Sequence, residues 1–405
     1  MNTADILILG GGAAGFFTAI NAAEANPGSR IIILERGKEV LTKVKVSGGG
    51  RCNVTHAEFD PKELTMHYPR GEKELLGPFH HFMTGDTIAW FAERGIALKT
   101  ESDGRMFPES DSSQTIIDCF LSEADRLGIS VLRNHSVKSI QKKSEAWLVV
   151  TTEGNFTAQK VVVATGSNTK VWKLLENLNH SIVAPVPSLF TFNIKDFRID
   201  GLQGVATPAH ISVLGEQHEI ILESEGPLLI THWGMSGPAV LKLSAWGARL
   251  LAPMNYAFTI QVNWLAGLSF ETTLEDLKSL KKSLNKKLVA SHAQFELPKR
   301  LWQRLVETSG ILEAHTWAEI TGEQLTELAR QLTLGTFEVN GKSTFKEEFV
   351  TAGGIDLKEV NFKTFESRLH EGLFFAGEVL NIDAITGGFN FQNAWTGGYI
   401  VARSL

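Results

Sequence analysis

Several segments of this chain have glycines at the spacings found in ligand-binding turns, and most of them also contain charged or hydroxyl-bearing residues. The first is Gly10-Gly11-Gly12-Ala13-Ala14-Gly15, which satisfies the pattern G-x-G-x-x-G. It lies between an aliphatic run and an alanine-rich stretch, and Glu35 follows Gly15 by 20 residues at the end of a second aliphatic run. Such glycines permit a tight turn against a pyrophosphate, and such a carboxylate accepts hydrogen bonds from a ribose 2′-hydroxyl. The spacing predicts a dinucleotide site; the alternative is a glycine-rich turn without a ligand.

Two later segments indicate which dinucleotide the site would take. Val161–Gly166 has the pattern of a buried strand that ends in Ala-Thr-Gly. Gly372–Glu378 places an acidic residue at a strand end, where it can bind ribityl hydroxyls, and a glycine-rich turn at Asp383–Asn390 then precedes a predicted helix whose first amides could meet the flavin. An NAD-only dehydrogenase has no need of C-terminal residues at an N-terminal site, so these segments favour FAD. The sequence has no second G-x-G-x-x-G, so NAD(P)H would be a transient electron donor.

The remaining segment contains Ser47-Gly48-Gly49-Gly50-Arg51-Cys52-Asn53, with Lys43 just before it. Three consecutive glycines beside basic and hydroxyl side chains suit a backbone nest for phosphate or the isoalloxazine edge, and the alternative is a flexible loop with solvated charges. Cys52 is a candidate proton donor or redox thiol, or else a small packing residue. His232 is the second catalytic candidate. The alternative is a structural histidine whose hydrogen bonds are satisfied within the protein.

These segments, together with Gly104–Pro108, Thr231–Pro238 and Val350–Gly354, resemble the BaiN-like flavoproteins, also described as the aminoacetone-oxidase family of FAD-binding enzymes. The matching motifs occur in family order over nearly the whole chain. The resemblance implies an α/β fold in which a Rossmann-like FAD-binding domain carries an inserted β-barrel-like domain and a helical domain. The chain departs from the family pattern at three positions, where the family usually has Asn, Gly and an aromatic residue: His56, Ala384 and Asn393.

The motifs and the resemblance together give one set of candidate residues for non-covalent FAD binding. These are Gly10, Gly11, Gly12, Ala13, Ala14, Gly15, Glu35, Arg36, Lys43, Ser47, Gly48, Gly49, Gly50, Arg51, Asn53, Val137, Ala164, Thr165, Gly166, Gly377, Glu378, Asp383, Thr386, Gly387, Gly388 and Asn390. Non-covalent binding is expected because no His or Cys lies in a flavin-linkage motif. No spacing of His, Cys, Asp or Glu predicts a metal site.

The resemblance implies discontinuous domains, and the sequence pattern changes at compatible places, near Pro185, near Phe270 and after residue 332. We predict an FAD-binding domain at 1–187 and 350–405, a barrel-like domain at 188–269 and 333–349, and a helical insert at 270–332. Within the first domain, residues 37–110 are expected to be irregular apart from a helix at Asp86–Arg94. In the insert, Thr272 with Glu275 and Thr321 with Gln324 have the spacing of capping boxes.

Composition and charge narrow the class of protein. With 39 basic and 45 acidic residues the net charge is −6, which disfavours a nucleic-acid-binding protein that uses its whole surface. Two cysteines in 405 residues are too few for a disulfide scaffold, so a reducing cytoplasmic compartment fits best. The uncharged run Ile6–Ala23 divides into a strand and a helix around its glycines, so no membrane span is expected.

Residues 278–304 contain eight basic side chains and a single acidic one, Glu296. This local excess of positive charge fits either a solvated helix face or a face that binds a polyanion such as RNA.

These features indicate an FAD-dependent oxidoreductase. The resemblance implies several reactions: reduction of a conjugated C=C bond, either in a small enone or in uridine of large-subunit ribosomal RNA, and oxidation of a small amine such as aminoacetone. A flavin-bound RNA-binding or regulatory module without turnover is the alternative from another class.

Overall fold

The computed structural model describes residues 2–343 and 350–405. These residues form two compact units, one made of residues 2–186 with 350–405 and the other of residues 187–343. The last part of the predicted barrel segment, residues 344–349, lies outside the described residues. The finer division into three domains stays a prediction.

The strands and helices are numbered in chain order. The strands are β1 Asn2–Leu9, β2 Ile31–Leu34, β3 Thr55–His56, β4 Leu98–Thr100, β5 Arg105–Pro108, β6 Ser130–Leu132, β7 Val137–Lys143, β8 Ala146–Thr151, β9 Asn155–Val163, β10 Ile182–Ser188, β11 Thr191–Ile194, β12 Ala206–Leu214, β13 Ile220–Ile230, β14 Gly234–Ser236, β15 Ala257–Asn263, β16 Gly335–Ser343, β17 Val350–Ile355, β18 Val360–Asn361, β19 Glu366–Ser367 and β20 Leu373–Phe375. The helices are α1 Ala13–Ala25, α2 Thr42–Gly50, α3 Pro61–Thr65, α4 Glu72–Phe79, α5 Thr84–Ala92, α6 Ser113–Arg126, α7 Thr169–Glu176, α8 Pro238–Trp246, α9 Ala248–Leu251, α10 Phe270–Ser283, α11 Lys299–Thr308, α12 Gly322–Thr333 and α13 Phe389–Ser404.

The first unit is built on a sheet whose central strands run parallel in the order β20-β9-β1-β2-β6. In β1, Ile8 lies opposite Ile33 of β2 and Val162 of β9. A parallel strand that is covered on both faces needs a continuous aliphatic sequence, which β1, β2 and the end of β9 have. The predicted α/β fold with a Rossmann-type sheet is therefore confirmed.

Helices cover this sheet through an aromatic cluster. The ring of Phe17 in α1 lies 4.6 Å from Trp90 of α5 and 5.2 Å from Trp395 of α13, measured between centroids. Phe120 of α6 lies 5.6 Å from Trp395. Each such aromatic pair contributes about 0.5–1.5 kcal/mol beyond its burial. The cluster therefore fixes the C-terminal helix α13 against the N-terminal helix α1.

The expectation that residues 37–110 are irregular is wrong. Four helices, α2 to α5, form there, together with the small sheet β3-β5-β4. These elements are two to nine residues long, too short to show a clear periodicity. The predicted helix Asp86–Arg94 exists as α5 but begins at Thr84 and ends at Ala92. In the second unit, α8 interrupts a region expected to be strands, starting with a proline after Gly237.

The second unit contains a closed barrel in the order β11-β14-β13-β12-β15-β16. Alternate residues of β15 point inward, so that Phe258, Ile260 and Val262 are buried, as the alternating sequence predicts. Helices α10, α11 and α12 pack around a core that includes Leu277 and Trp302. Among the described residues, no helix has the length and apolarity needed to cross a bilayer.

One of the two predicted helix caps in this unit is wrong. The Thr321 hydroxyl accepts from the Gln324 N–H at 3.1 Å and the Gln324 side chain accepts from the Thr321 N–H at 2.9 Å, so this capping box is confirmed. Helix α10 begins at Phe270, two residues before the predicted Thr272 cap. Ser269 is its N-cap and accepts from the Thr272 N–H at 3.1 Å. Both Ser269 and Thr272 carry a hydroxyl that could cap a helix. In the structure the helix starts directly after Ser269, so that Ser269 is the cap.

These caps predict a contrast in local stability. Ser269→Ala and Thr321→Ala each remove a side-chain acceptor, so we expect amide exchange in the first turn of α10 or α12 to accelerate about fivefold, which corresponds to about 1 kcal/mol. Thr272→Ala should change exchange in the first turn of α10 by less than about twofold. Hydrogen exchange followed by mass spectrometry measures each turn. Equal effects of Ser269→Ala and Thr272→Ala would contradict the assignment of Ser269 as the cap.

Candidate cofactor site

Four strand ends meet at one edge of the parallel sheet. Leu9 at the end of β1 lies opposite Leu34 of β2 and Val163 of β9, and Phe375 of β20 also lies opposite Val163. Because these strands are parallel, the residues that follow them emerge on the same side. In open parallel sheets this edge is where ligands bind. The segments that follow are Gly10–Gly12, Glu35, Ala164–Gly166 and Ala376–Glu378.

The turn from β1 into α1 has room for a ligand only on one side. Gly10 has a φ of +113°, and a Cβ built there would lie 2.3 Å from the carbonyl oxygen of Ala164. A Cβ at Gly15 would lie 2.0 Å from the carbonyl oxygen of Gly10. At Gly12, the N-cap of α1, a Cβ would meet no described atom within 4 Å. The open space beside the first amides of α1 fits the pyrophosphate of a dinucleotide.

Glu35 lies beside this turn. One oxygen of its carboxylate accepts from the Gly11 N–H at 2.9 Å, and the other accepts from the Gly37 N–H at 2.7 Å. Two backbone amides thus fix the carboxylate, and each oxygen keeps a second lone pair for a ribose hydroxyl. The same strand end carries Arg36, whose side chain is exposed. The other predicted residue of this region, Val137, is half-buried at the start of β7.

The ends of β9 and β20 bring a second polar group to the edge. Lys43 in α2 donates to the Glu378 carboxylate at 2.6 Å, and that carboxylate oxygen lies 3.5 Å from a Cβ position built on Gly166. A Cβ at Gly377 would lie 3.0 Å from that of Ala14 in α1. The buried Thr165 hydroxyl oxygen has no hydrogen-bond partner among the described residues. An unsatisfied hydroxyl at this edge is a group that a bound cofactor can satisfy.

The glycine triplet forms a sharp reversal at the end of α2. Ser47 is extended with ψ of 147°, and Gly48 and Gly49 are left-handed with φ of 58° and 68°. Nothing within 4 Å would meet a Cβ at Gly49, whereas Gly48 lies close to the backbone of Asn53. With its amide oxygen toward the Gly388 N–H at 3.0 Å, Asn53 links this reversal to the start of α13.

Cys52 is fully buried and has a left-handed backbone with φ of +62°. Burial raises the pKa of its thiol to about 12, while the Ser47 hydroxyl acts in the opposite direction. The thiol is therefore protonated throughout the physiological range, which disfavours a redox thiolate. Its role as a proton donor stays a prediction.

Arg51 is already engaged by carboxylates. Its guanidinium lies 2.6 Å from Glu101 and 3.4 Å from Asp111, and it stacks 3.9 Å above the ring centre of Phe107. Hydrogen bonding to Glu101, the largest influence, and to Asp111 raises the pKa of Arg51. The guanidinium thus connects the reversal after α2 to β5 and its neighbouring turns. Direct contact between Arg51 and the cofactor stays a prediction.

The loop before α13 is shaped by two of the residues predicted to bind the cofactor. Asp383 is buried and paired with Arg70, whose Nε donates to it at 2.6 Å. The Asn390 side chain donates to and accepts from the backbone of Ala384, at 3.2 Å and 3.0 Å. Thr386 is exposed at the loop tip. Sequence reasoning missed Arg70, because a residue 313 positions away leaves no local pattern.

Gly387 and Gly388 lie just before helix α13 and close to β3, and Gly388 is the N-cap of the helix. The His56 ring nitrogen Nδ1 lies 3.0 Å from the Gly387 carbonyl oxygen, and a Cβ at Gly388 would lie 2.5 Å from the carbonyl oxygen of Thr55. A buried network continues this contact, since the Thr55 hydroxyl donates to Gln392 of α13 at 2.6 Å. Gln392, which the motifs did not single out, thus lies at this end of the site with His56, which the sequence marked only as a departure from the family pattern.

The other catalytic candidate, His232, belongs to the barrel unit. It is exposed on the turn between β13 and β14, next to the exposed Trp233. The turn is held by the Thr231 hydroxyl, which donates to the Gly234 carbonyl oxygen at 3.2 Å. The catalytic role of His232 stays a prediction. Within residues 2–343 and 350–405, no three His, Cys, Asp or Glu side chains form a group that could hold a metal ion.

Comparison with known proteins identifies the family of this chain. The family model described as HI0933-like protein Rossmann domain matches residues 4–404. The "Ribosomal RNA dihydrouridine synthase" of Haemophilus influenzae is 28% identical over 416 residues and covers 98% of both chains. The "3-dehydro-bile acid delta(4,6)-reductase" of Clostridium scindens is 27% identical over 409 residues, with the same coverage. The solved structure of 3-ketosteroid-delta4-(5alpha)-dehydrogenase from Rhodococcus jostii shares the fold, with a TM-score of 0.53, 12% identity and coverage of 99% and 97%.

The turn at Gly10–Gly12 predicts that a side chain at Gly12 prevents flavin binding, whereas the same side chain at a control glycine does not. Gly12→Val and Gly77→Val each add a side chain where no described atom lies within 4 Å. Only Gly12 adjoins the first amides of α1, so we expect Gly12→Val to lose FAD, and Gly77→Val to retain one FAD per chain. Absorbance of the flavin released by denaturation, with circular dichroism to confirm folding, measures both. A folded Gly12→Val protein with full FAD content, or release of FMN from the wild type, would contradict the assignment.

Proposed function

Because the chain belongs to the HI0933-like Rossmann family and is an FAD-dependent oxidoreductase, we propose that it reduces a carbon–carbon double bond conjugated to a carbonyl group. The proposed substrate is uridine in large-subunit ribosomal RNA, with a small enone as the alternative. The observation that carries the proposal is that two relatives aligned over 98% of this chain have different substrates in their names but one common reaction.

That common reaction follows from the chemistry of the two names. Dihydrouridine is uridine whose ring double bond, conjugated to a carbonyl, has been reduced. A 3-dehydro compound with 4,6 double bonds likewise has those bonds conjugated to its 3-oxo group. In each case a hydride adds to a carbon that the carbonyl polarises, and a proton adds to a neighbouring position. With NAD(P)H as the proposed donor, uridine, NAD(P)H and one proton give dihydrouridine and NAD(P)⁺.

The residues at the sheet edge suit the binding of FAD, which supplies the hydride chemistry when bound. The first amides of α1 beside Gly12 would hold the pyrophosphate, and Glu35 would accept from the adenosine ribose. Glu378, oriented by Lys43, would accept from ribityl hydroxyls. The N-terminus of α13 after Gly388 presents amide groups that suit a partial negative charge. The chain's own part is thus to bind and orient the cofactor.

Two side chains of this chain are candidates for the residue that donates the proton to the substrate. Cys52 is our first choice, because it adjoins the reversal after α2 and its thiol keeps its proton at neutral pH. Because the thiol is buried, it could protonate only a substrate atom that comes into contact with it inside the protein. His232 is the second choice.

The reaction class is tested by half-reactions. Anaerobic protein is reduced with NADPH or NADH and then mixed with an unmodified ribosomal RNA transcript, a steroid 4-en-3-one or buffer. We expect flavin reoxidation by the RNA, with dihydrouridine detected in digested nucleosides by mass spectrometry. Reoxidation by the steroid alone would favour the enone. Reduction of oxidised flavin by aminoacetone, without reduction of any double bond, would contradict the proposal.

The proton donor is tested separately. Cys52→Ala should retain FAD and its rate of reduction by the donor, but slow the oxidative half-reaction by about 10²-fold, the usual contribution of general acid catalysis. Cys119→Ala is the control, because this half-buried thiol on α6 is the other cysteine of the chain. His232→Ala tests the second choice. Stopped-flow traces separate the two half-reactions. An unchanged oxidative half-reaction in Cys52→Ala would make Cys52 a packing residue.

A further inference from the structure

The eight basic residues between 278 and 304 divide into two groups. Three are engaged within the unit: Lys281 donates to the carbonyl oxygens of Ala318 and Ile320, Arg300 to that of Gly201, and Arg304 pairs with Glu307 at 3.1 Å. The others are exposed and have no ion pair with any described carboxylate: Lys278, Lys282, Lys286, Lys287 and Lys299. Three of the eight basic residues therefore hold parts of the unit together, and the other five form no ion pair with a described carboxylate.

Four of the unpaired lysines lie together on and just after α10. Lys278 and Lys282 are four residues apart and so share one exposed face of the helix, whereas Leu277 faces the core. Lys286 and Lys287 follow in the next segment. An open groove of about 570 Å³ lies at this face, lined by Lys278, Lys281, Lys282, Asn285 and Ala318. We define Lys278, Lys282, Lys286 and Lys287 as the lysine surface.

The backbone beneath the lysine surface is held in place by a second segment. Three backbone hydrogen bonds join them: Ala318 N–H to Asn285 O at 2.9 Å, Trp317 N–H to Lys287 O at 3.0 Å, and Val289 N–H to His315 O at 3.1 Å. Lys281 adds its bonds to the same segment. Trp302 and Trp317 are buried below. The lysine side chains thus extend from fixed positions, which reduces the ordering needed to bind a multivalent partner.

Acidic side chains near this face form no ion pair with the lysine surface, although Glu275, exposed on α10, lies within one turn of Lys278. Glu319, on the facing segment, accepts from the Thr316 N–H at 2.7 Å and the Thr316 hydroxyl at 2.8 Å. Glu296 is the sole acidic residue of 278–304. Four unpaired ammonium groups beside an open groove therefore produce a positive surface on a chain whose net charge is −6.

We propose that the lysine surface binds the phosphate backbone of RNA. The proposal rests on the proposed function, because it names the part of the chain that would hold a ribosomal RNA substrate by its phosphates. Lysine ammonium groups interact with phosphate as point charges, whereas base recognition typically uses stacking or bidentate groups, and the groove lining contains neither an aromatic residue nor arginine. The surface should accordingly position RNA with little sequence preference.

The test compares two quadruple variants of the FAD-loaded protein. The first carries Lys278→Gln, Lys282→Gln, Lys286→Gln and Lys287→Gln. The control carries Lys62→Gln, Lys73→Gln, Lys138→Gln and Lys363→Gln, four exposed lysines of the other unit that also lack ion pairs in the described chain. Lys281 is left intact because it supports the fold. FAD content and thermal unfolding confirm that both variants are folded.

Binding is measured by filter retention of an unmodified large-subunit ribosomal RNA transcript between about 50 and 200 mM KCl. The first variant should bind about 10- to 100-fold more weakly at about 100 mM KCl, with a slope of log K against log salt smaller by about 2–3. The control should bind like the wild type. Equal affinity of the two variants, or wild-type binding to phosphatidylglycerol vesicles in preference to the RNA, would overturn the proposal.

The two proposals fail in different ways. If wild-type protein forms dihydrouridine in the transcript while the first variant binds as tightly as the control, the lysine surface is not the RNA site and the reaction stands. If the first variant alone loses affinity while no uridine is reduced, the lysine surface stands and the proposed reaction fails.

Discussion

The close approach of three backbone segments around the Gly10 carbonyl is the constraint on which the site depends. A side chain at Gly10 would collide with Ala164 at the end of β9, and one at Gly15 would collide with Gly10 itself. Helix α1 can therefore begin directly above the sheet edge, with its first amides toward open space at Gly12. The same closeness lets Gly377 contact Ala14, so that Glu378 reaches this edge from the other end of the chain. That geometry leaves the space that the proposed FAD pyrophosphate would occupy.

Long-range polar contacts then orient the site without all contributing equally to stability. The Lys43–Glu378 pair joins positions 335 apart, but Lys43 is half exposed, and pairs of that kind typically contribute about 0–1 kcal/mol. The Arg70–Asp383 pair is buried, and removing one partner from such a pair typically costs about 3–5 kcal/mol. The buried pair, which precedes α13, and the aromatic cluster around Trp395 are therefore expected to hold the C-terminal segment in the first unit more strongly than the exposed pair does. The exposed pair mainly fixes the position of a carboxylate.

The sequence predicted what depends on local pattern. The strands β1, β2 and β9 follow from aliphatic runs, and the turn at Gly10–Gly15 follows from glycine spacing, so the Rossmann-type sheet and the family were both predictable. The helices between residues 37 and 110 were not, because short elements show little periodicity. Contacts between distant residues also escaped prediction: Asp383 is engaged by Arg70, and Lys281 is engaged by the backbone of residues 318 and 320. Such pairings depend on the tertiary fold, so a run of charges read from sequence alone overstated the free positive charge.

The proposed reduction of uridine in ribosomal RNA by this flavoprotein can be tested by nucleoside mass spectrometry of large-subunit ribosomal RNA from cells with and without the protein. We expect dihydrouridine to fall in cells lacking the protein. Wild-type protein should restore dihydrouridine, whereas Gly12→Val should not. An unchanged dihydrouridine content in cells lacking the protein would contradict the proposed reaction.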